Sequence, residues 1–157
     1  VDMEIRTAVP SDAEELIELS QSSILKTCRE DYTQPQLKAW ANGINRPNRF
    51  KEAIKNQYFI VAEIDNEIVG FASLENGNYI DFLYVSTQHL RKGVAQCLYN
   101  CLLNKALESN QQCILSDVSI TATSFFKKQG FTIVNKQEHT IATECLVNYR
   151  MKYRISG

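Results

Sequence analysis

Apolar and polar positions change period several times along the chain, and each change marks an element. Residues 3–7 alternate and predict a short strand. Pro10-Ser11-Asp12-Ala13-Glu14 follows, with Ser11 and Glu14 spaced as a capping box, so a helix is expected from Asp12. Ala13, Leu16, Ile17, Ser20 and Ile24 then mark one face at helical spacing. After a break over 28–32, residues 34–41 predict a second helix with Pro35 in its first turn and Trp40, the only tryptophan, on the side of Leu37. Residues 42–48 form a loop rich in Asn, Gly and Pro, and 49–55 hold one or two helical turns of weak periodicity.

From Tyr58 the period shortens. Residues 58–64, a turn at Asp65-Asn66-Glu67 and residues 68–75 predict a hairpin, and Asn76-Gly77-Asn78 turns the chain into a third antiparallel strand over 79–85. A short basic loop leads into a helix over 96–109, its buried residues including Leu98, Cys101, Leu102 and Leu107 together with Val94 before it. Residues 113–117 predict a strand parallel to 79–85, because a helix crosses over between them. A helix over 120–129 ends at Gly130, and 131–135 with 140–153 close the sheet as a hairpin. The architecture expected is a single α/β domain over 1–157, a mixed, mainly antiparallel sheet with helices on both faces in the order β-α-α-β-β-β-α-β-α-β-β.

Composition narrows the classes. At 157 residues, 44% hydrophobic and 22% charged, the chain fits one globular domain. A net charge of −1 gives no reason to expect a nucleic-acid or anionic-membrane partner. No apolar run reaches the roughly 20 residues of a membrane span, and no signal-peptide pattern opens the chain. Five cysteines without a CxxC pair, beside two histidines, argue against zinc or any other metal site and for a reducing cytoplasm. Cys97 and Cys101, four apart, fall on the apolar helix face as small hydrophobes.

Candidate chemistry gathers after the third antiparallel strand. Asp81-Phe82-Leu83-Tyr84-Val85 runs into Ser86 to Leu90, then Arg91-Lys92-Gly93-Val94-Ala95, then the helix. Free backbone N–H groups, the positive end of a helix dipole and two cations meet there, which suits a phosphate or pyrophosphate. The segment alone fits equally well an ordinary strand–turn–helix connection with two solvated cations.

Three stretches together resemble the GNAT superfamily of acetyl-coenzyme A-dependent N-acetyltransferases, and the likeness covers nearly the whole chain. Residues 79–85 followed by Arg91-Lys92-Gly93-Val94-Ala95 are similar to the acetyl-CoA signature loop [Gln/Arg]-x-x-Gly-x-[Gly/Ala]. Residues 119–131, with Phe125-Phe126-Lys127-Lys128-Gln129-Gly130-Phe131, resemble the helix ending Phe-[Tyr/Phe]-x-x-x-Gly-Phe. Residues 32–40 with Asn148-Tyr149-Arg150-Met151 look like a bacterial subgroup of uncharacterised or small-amine acetyltransferases.

The resemblance implies acetyl-CoA as cofactor, bound by Leu83, Tyr84, Val85, Leu90, Arg91, Lys92, Gly93, Val94, Ala95, Ser119 and Phe126. The strand ending near Val85 should diverge from its parallel neighbour near Ser116, so that the pantetheine amides pair with Leu83 and Val85. A backbone N–H near Leu83 would stabilise the developing oxyanion. The implied reaction is direct attack of a primary amine of a small molecule on the acetyl carbonyl, by a monomer or homodimer pairing through its exposed last strand. Alternatives are acetylation of a protein N-terminus or lysine, and a CoA-binding module without turnover.

Two departures stand out. The first signature position falls on Leu90, and the superfamily's frequent tyrosine acid falls on Phe126, which has no proton to give. Another tyrosine (Tyr79, Tyr84 or Tyr32) or water would protonate the thiolate, or the thiolate leaves without an acid, or efficient chemistry is lost; the second is preferred. Asp81 is the candidate base and Tyr79 a second catalytic candidate, with Glu75, Glu30 and Asp31 behind them. Asp81 alternates with Phe82, so one of the two should face the ligand. Tyr32 and Trp40 are candidate substrate contacts, although core packing serves Trp40 equally. His139 is expected in a hairpin loop, His89 beside the anion loop, and Cys28 as a structural thiol rather than a nucleophile.

Overall fold

The computed structural model describes residues 2–155. Strand β1 (Met3–Thr7) is followed by α1 (Ala13–Thr27), α2 (Gln34–Gly43) and α3 (Pro47–Asn56). A meander of β2 (Tyr58–Ile64), β3 (Glu67–Glu75) and β4 (Tyr79–Val85) leads through a 3-10 turn at Thr87–His89 into α4 (Val94–Glu108). Then come β5 (Cys113–Ser119), α5 (Thr123–Lys128), β6 (Thr132–Ile141) and β7 (Glu144–Arg154). The seven strands lie in the order β1-β2-β3-β4-β5-β7-β6, antiparallel except for β4 beside β5. Among the described residues, no helix is long and apolar enough to cross a membrane.

Each face of the sheet has its own core. Leu98, Tyr99, Leu102 and Ala106 of α4 and Phe126 of α5 pack on Ile80, Ile114, Val118 and Met151. On the other face, α1 and α3 bring Leu16, Ile17, Phe50 and Ile54 onto Phe59, Val61, Phe71 and Phe82. Tyr32, Leu37 and Ala41 form a third cluster with Ile24, Cys28 and Leu146.

Tight turns set the meander. Asp65 and Asn66 take φ of 53° and 64°, and Asn76 and Gly77 take 53° and 77°, the left-handed pairs that hairpins of matching twist require. Gly70 sits where β3 must clear α4. A Cβ there would lie 2.9 Å from the Tyr84 carbonyl oxygen, 3.0 Å from Val94 and 3.1 Å from Leu98. Gly70→Val is therefore expected to cost about 1–3 kcal/mol by overpacking, or more, since one neighbour is backbone. Thermal unfolding measures it; an unchanged Tm would mean that α4 is not seated by this contact.

Several expectations need correction. The segment 49–55 belongs to a full third helix, α3, with Pro47 in its first turn and Phe50, Ala53 and Ile54 buried. The capping box of Ser11 and Glu14 does not form. Asp12 itself accepts the Val9 N–H at 2.8 Å and pairs with Arg6, and α1 begins at Ala13. The helix expected over 120–129 is only α5, because Ser119 to Ala122 form a turn first, Ala122 N–H bonding the Ser119 carbonyl. The last hairpin turns at Ala142 and Thr143, so His139 lies in β6, its Nε2 3.1 Å from Asn148 Oδ1. Leu107 is 49% exposed, and Cys97 and Cys101 are only half-buried. The last strand, β7, is interior; the edge strand beside it is β6, where Ile133 and Val134 face out, and β1 is the opposite edge.

Candidate functional site

Strand β4 carries one extra residue. Ser73 pairs with Phe82 and Leu74 with Ile80, which leaves Asp81 as a bulge. The bulge breaks the alternation read from sequence: Asp81 and Phe82 both reach the α3 side. Arg49 Nη2 and Nη1 donate to the two Asp81 oxygens at 2.8 and 3.0 Å, Gln57 Nε2 donates to Oδ2 at 2.7 Å, and Phe82 stacks on Phe50.

At the same point β4 leaves β5. Their ladder consists of Tyr79 with Leu115 and Ile80 with Ser116, and ends there, although both strands continue. Ser86 N–H bonds the Val69 carbonyl, so alternation points the backbone groups of Leu83 and Val85 away from β3 and into the gap. A cavity of about 570 Å³ occupies this gap. Leu83, Tyr84, Val85, Leu90, Arg91, Gly93, Val94, Ala95, Ser119 and Phe126 line it, as do Asp81 and Trp40. A second cavity of about 210 Å³ lies under the α2–α3 connection, against Ile44, Arg46, Arg49 and Phe50, and Asp81 and Tyr84 line both cavities.

The loop before α4 is shaped for an anion. Arg91 has φ 61° and Gly93 φ 82°. Cys97 N–H closes the first helical bond on Gly93, and among the described residues the N–H groups of 91–96 donate to no other loop, cap or side-chain acceptor. The space where a Gly93 Cβ would stand is open to 4 Å. Free donors at a helix start, unpaired strand edges and an elongated cavity match a ligand that is pyrophosphate at one end and amide-rich along its arm. Arg91 and Lys128 supply cations on the lining.

Other candidates lie elsewhere. The Lys92 side chain is exposed and outside the lining. Tyr32 is a core residue, not a cavity contact. It is 7% exposed, donates to the Val147 carbonyl at 2.6 Å and accepts the Ile120 N–H at 3.0 Å, tying three segments together. Tyr79 is also outside the lining and donates to Asp117 Oδ2 at 2.8 Å; burial, then this bond, pushes its hydroxyl above the ordinary range. Glu75 and Glu30 are exposed, and Asp31 accepts from Thr121 at 2.7 Å. Cys28 lines the cavity, but burial pushes its thiol up, against the needs of a nucleophile.

The sequence reading missed Ser23 and Thr27 of α1, Gln96, Ser116, Asp117 and Thr121 on the lining. Ser23 and Thr27 interrupt the apolar stripe of α1, a signal that this end of the face meets something other than core, whereas Ser20 is buried and bonds back to the Leu16 carbonyl. Gln96 and Gln129 exchange amide hydrogen bonds at 3.0 and 2.8 Å and tie the start of α4 to the end of α5. Asp117 accepts from Arg150 (2.6 and 3.1 Å), Tyr79 and Gln137. Burial alone would raise its pKa, but the bonds from Arg150, Tyr79 and Gln137 outweigh it and hold the carboxyl below its ordinary range.

Asp12 is held low as well, by its Arg6 bond first. Folded values below unfolded ones mean stability that is complete above about pH 4 and lost as pH falls through the folded values. Urea unfolding should therefore show ΔG level from pH 7 to about pH 5 and falling below pH 4, with a shallower fall in Asp117→Asn. An equally steep fall in that variant would remove Asp117 as a contributor.

The Acetyltransferase (GNAT) domain family model matches residues 28–153. YafP of Escherichia coli (strain K12), an uncharacterized N-acetyltransferase, is 31% identical over 153 residues, 98% of this chain and 97% of that protein. A structure from Rhodopseudomonas palustris described as a GCN5-related N-acetyltransferase, aminotransferase class-II, superposes with TM-score 0.93 at 27% identity, covering 99% of this chain and 97% of its own. PaiA N-acetyltransferase of Thermoplasma acidophilum, in complex with coenzyme A, gives TM-score 0.79 at 19% identity, covering 98% and 99%. With a family model spanning most of its length and a relative matching it end to end, the chain belongs to the GNAT acetyltransferases.

Proposed function

We propose that this acetyl-CoA-dependent N-acetyltransferase acts on a primary amine of a small molecule, and that the amine attacks the acetyl carbonyl directly. The observation carrying this reading is the wall between the two cavities. Asp81 and Tyr84 stand where the larger cavity, shaped for the cofactor, meets a smaller one of about 210 Å³. That is room for a small acceptor, with a carboxylate placed to draw in an ammonium group.

When bound, acetyl-CoA supplies the activated acetyl group. The N–H groups of 91–96 with Arg91 and Lys128 would hold its phosphates, and Leu83 and Val85 its arm. Alkylamines are mostly protonated at pH 7, so a base must first take a proton. Asp81 is our candidate. Two carboxylate oxygens offer about four acceptor sites. Arg49 and Gln57 take three, which leaves one on Oδ1 for the amine or a water in between. Val118, Phe125 and Phe126 line the cofactor side with apolar surface, which would keep water from the acetyl group.

We further place the protein in the cytoplasm, as one domain over 1–157 and as a monomer or a dimer paired through β6, with its five cysteines free. Thiol release from acetyl-CoA, followed across a panel of small primary amines and of peptides with free N-termini or lysines, tests the activity. Saturable release with small amines is expected. Preference for the peptides would replace the small-molecule reading, and coenzyme binding without release by any amine would leave a binding module.

A further inference from the structure

We propose that Tyr84 donates the proton that the departing coenzyme A thiolate needs, the role that phenylalanine at 126 cannot fill. The inference rests on the acetyl-transfer reading above.

Three tyrosines stand on the sheet face that carries α1, α2 and α3, and two have committed their hydroxyl protons. Tyr32 gives its proton to the Val147 carbonyl, while its oxygen already accepts the Ile120 N–H. Tyr79 gives its proton to Asp117. Neither lines the cavity. Tyr84 lines both cavities, and among the described residues no acceptor takes its proton. Trp40 of α2 shares the larger cavity with Tyr84 and offers an indole N–H, a donor that can take no proton from the hydroxyl. Tyr84 lies between Leu83 and Val85, the two residues whose backbone groups open into the β4–β5 gap.

The surroundings suit a donor. Cys28 at the end of α1, Tyr32, Trp40 of α2 and Asp81 of the same strand face Tyr84, with Arg46 and Arg49 across the smaller cavity. Burial is the main cause that pushes the hydroxyl up, so it keeps its proton at the pH where an amine becomes neutral. The ring stacks on Phe71 at 5.6 Å, which fixes its direction.

The step balances as follows. The amine nitrogen bonds the acetyl carbon and the carbon–sulfur bond breaks, its electron pair leaving on sulfur. Tyr84 Oη gives its proton to that sulfur. The phenolate recovers a proton through water from the nitrogen, which sheds it on becoming an amide. Asp81 has already passed the first ammonium proton to solvent, so one proton is released per amide formed.

Tyr84→Phe keeps the ring and removes the proton. The first readout needs no turnover: the thiol of bound coenzyme A is titrated by its thiolate ultraviolet absorbance, against the complex with desulfo-coenzyme A. A donor at the sulfur stabilises the anion, so wild type should titrate about one pH unit lower than Tyr84→Phe. In turnover, kcat should fall about 10²-fold, and KM for acetyl-CoA should stay within about threefold. Identical thiol titrations, or the shift in thiol titration arising in Tyr79→Phe instead, would overturn the assignment. Wild-type protein that releases no thiol with any amine would count against the acetyl-transfer reading, while the thiol titration still decides the role of Tyr84.

Discussion

Asp81→Asn should lower kcat/KM for the amine by about 10²–10⁴-fold, the usual contribution of a positioned base. The substitution keeps the size of the side chain and deletes its charge. Arg49 loses a carboxylate, but its side chain is 41% exposed and water can replace the pair, so the fold should survive with a Tm lower by a few degrees. A purely structural Asp81, clamping α3 to the bulge, would give that Tm loss and nothing more. The discriminating measurement is the pH dependence of kcat/KM: wild type should show an acidic limb that the variant lacks. A variant with reduced stability but an unchanged profile would reject Asp81 as base.

Gly93→Val should weaken coenzyme A binding by about 10- to 100-fold in calorimetric titration. Two effects add. At φ 82° a β-branched residue is strained, roughly 1–2 kcal/mol for the left-handed region, and relief would rotate the loop that aims the N–H groups of 91–96. The added side chain would also occupy the open space proposed for the ligand's phosphates. Because no atom beyond the two adjoining residues lies within 4 Å of the new Cβ, the unliganded fold should lose little more than the strain energy. Gly93→Asn, which tolerates this φ, should separate the two: nearly native Tm with affinity still reduced. Native affinity in the valine variant would remove the anion-loop assignment.

What was legible in the sequence had local causes. The meander follows from Asp65-Asn66 and Asn76-Gly77, residues that accept left-handed turns, between runs of period two. The anion loop and α4 follow from one glycine between a strand and an amphipathic run. The bulge at Asp81 was not legible, because it is a relation between β3 and β4 rather than a property of either. For the same reason alternation mis-assigned Asp81 against Phe82. Asp117 drew no notice in a short strand, and its partners stand at 79, 137 and 150, far apart in the chain. Tyr32 looked like a ligand contact because an aromatic in a loop fits both roles; only its bonds to Val147 and Ile120 show it to be a tie. Helix α3 was faint because Asn and Pro punctuate its start, and its apolar residues are few though all buried.

The single extra residue in β4 has a thermodynamic consequence. A strand one residue shorter could keep its pairing with β5 past Ser116 and gain ladder hydrogen bonds, each worth about 0.5–1.5 kcal/mol net. The native sheet forgoes them and stays open along that seam. A cofactor arm lying in the seam, as proposed, would serve as the missing length of strand, and the fully paired sheet would then exist only as a complex. Donor binding and completion of the fold are then one equilibrium, and the protein is most stable when it is charged for reaction.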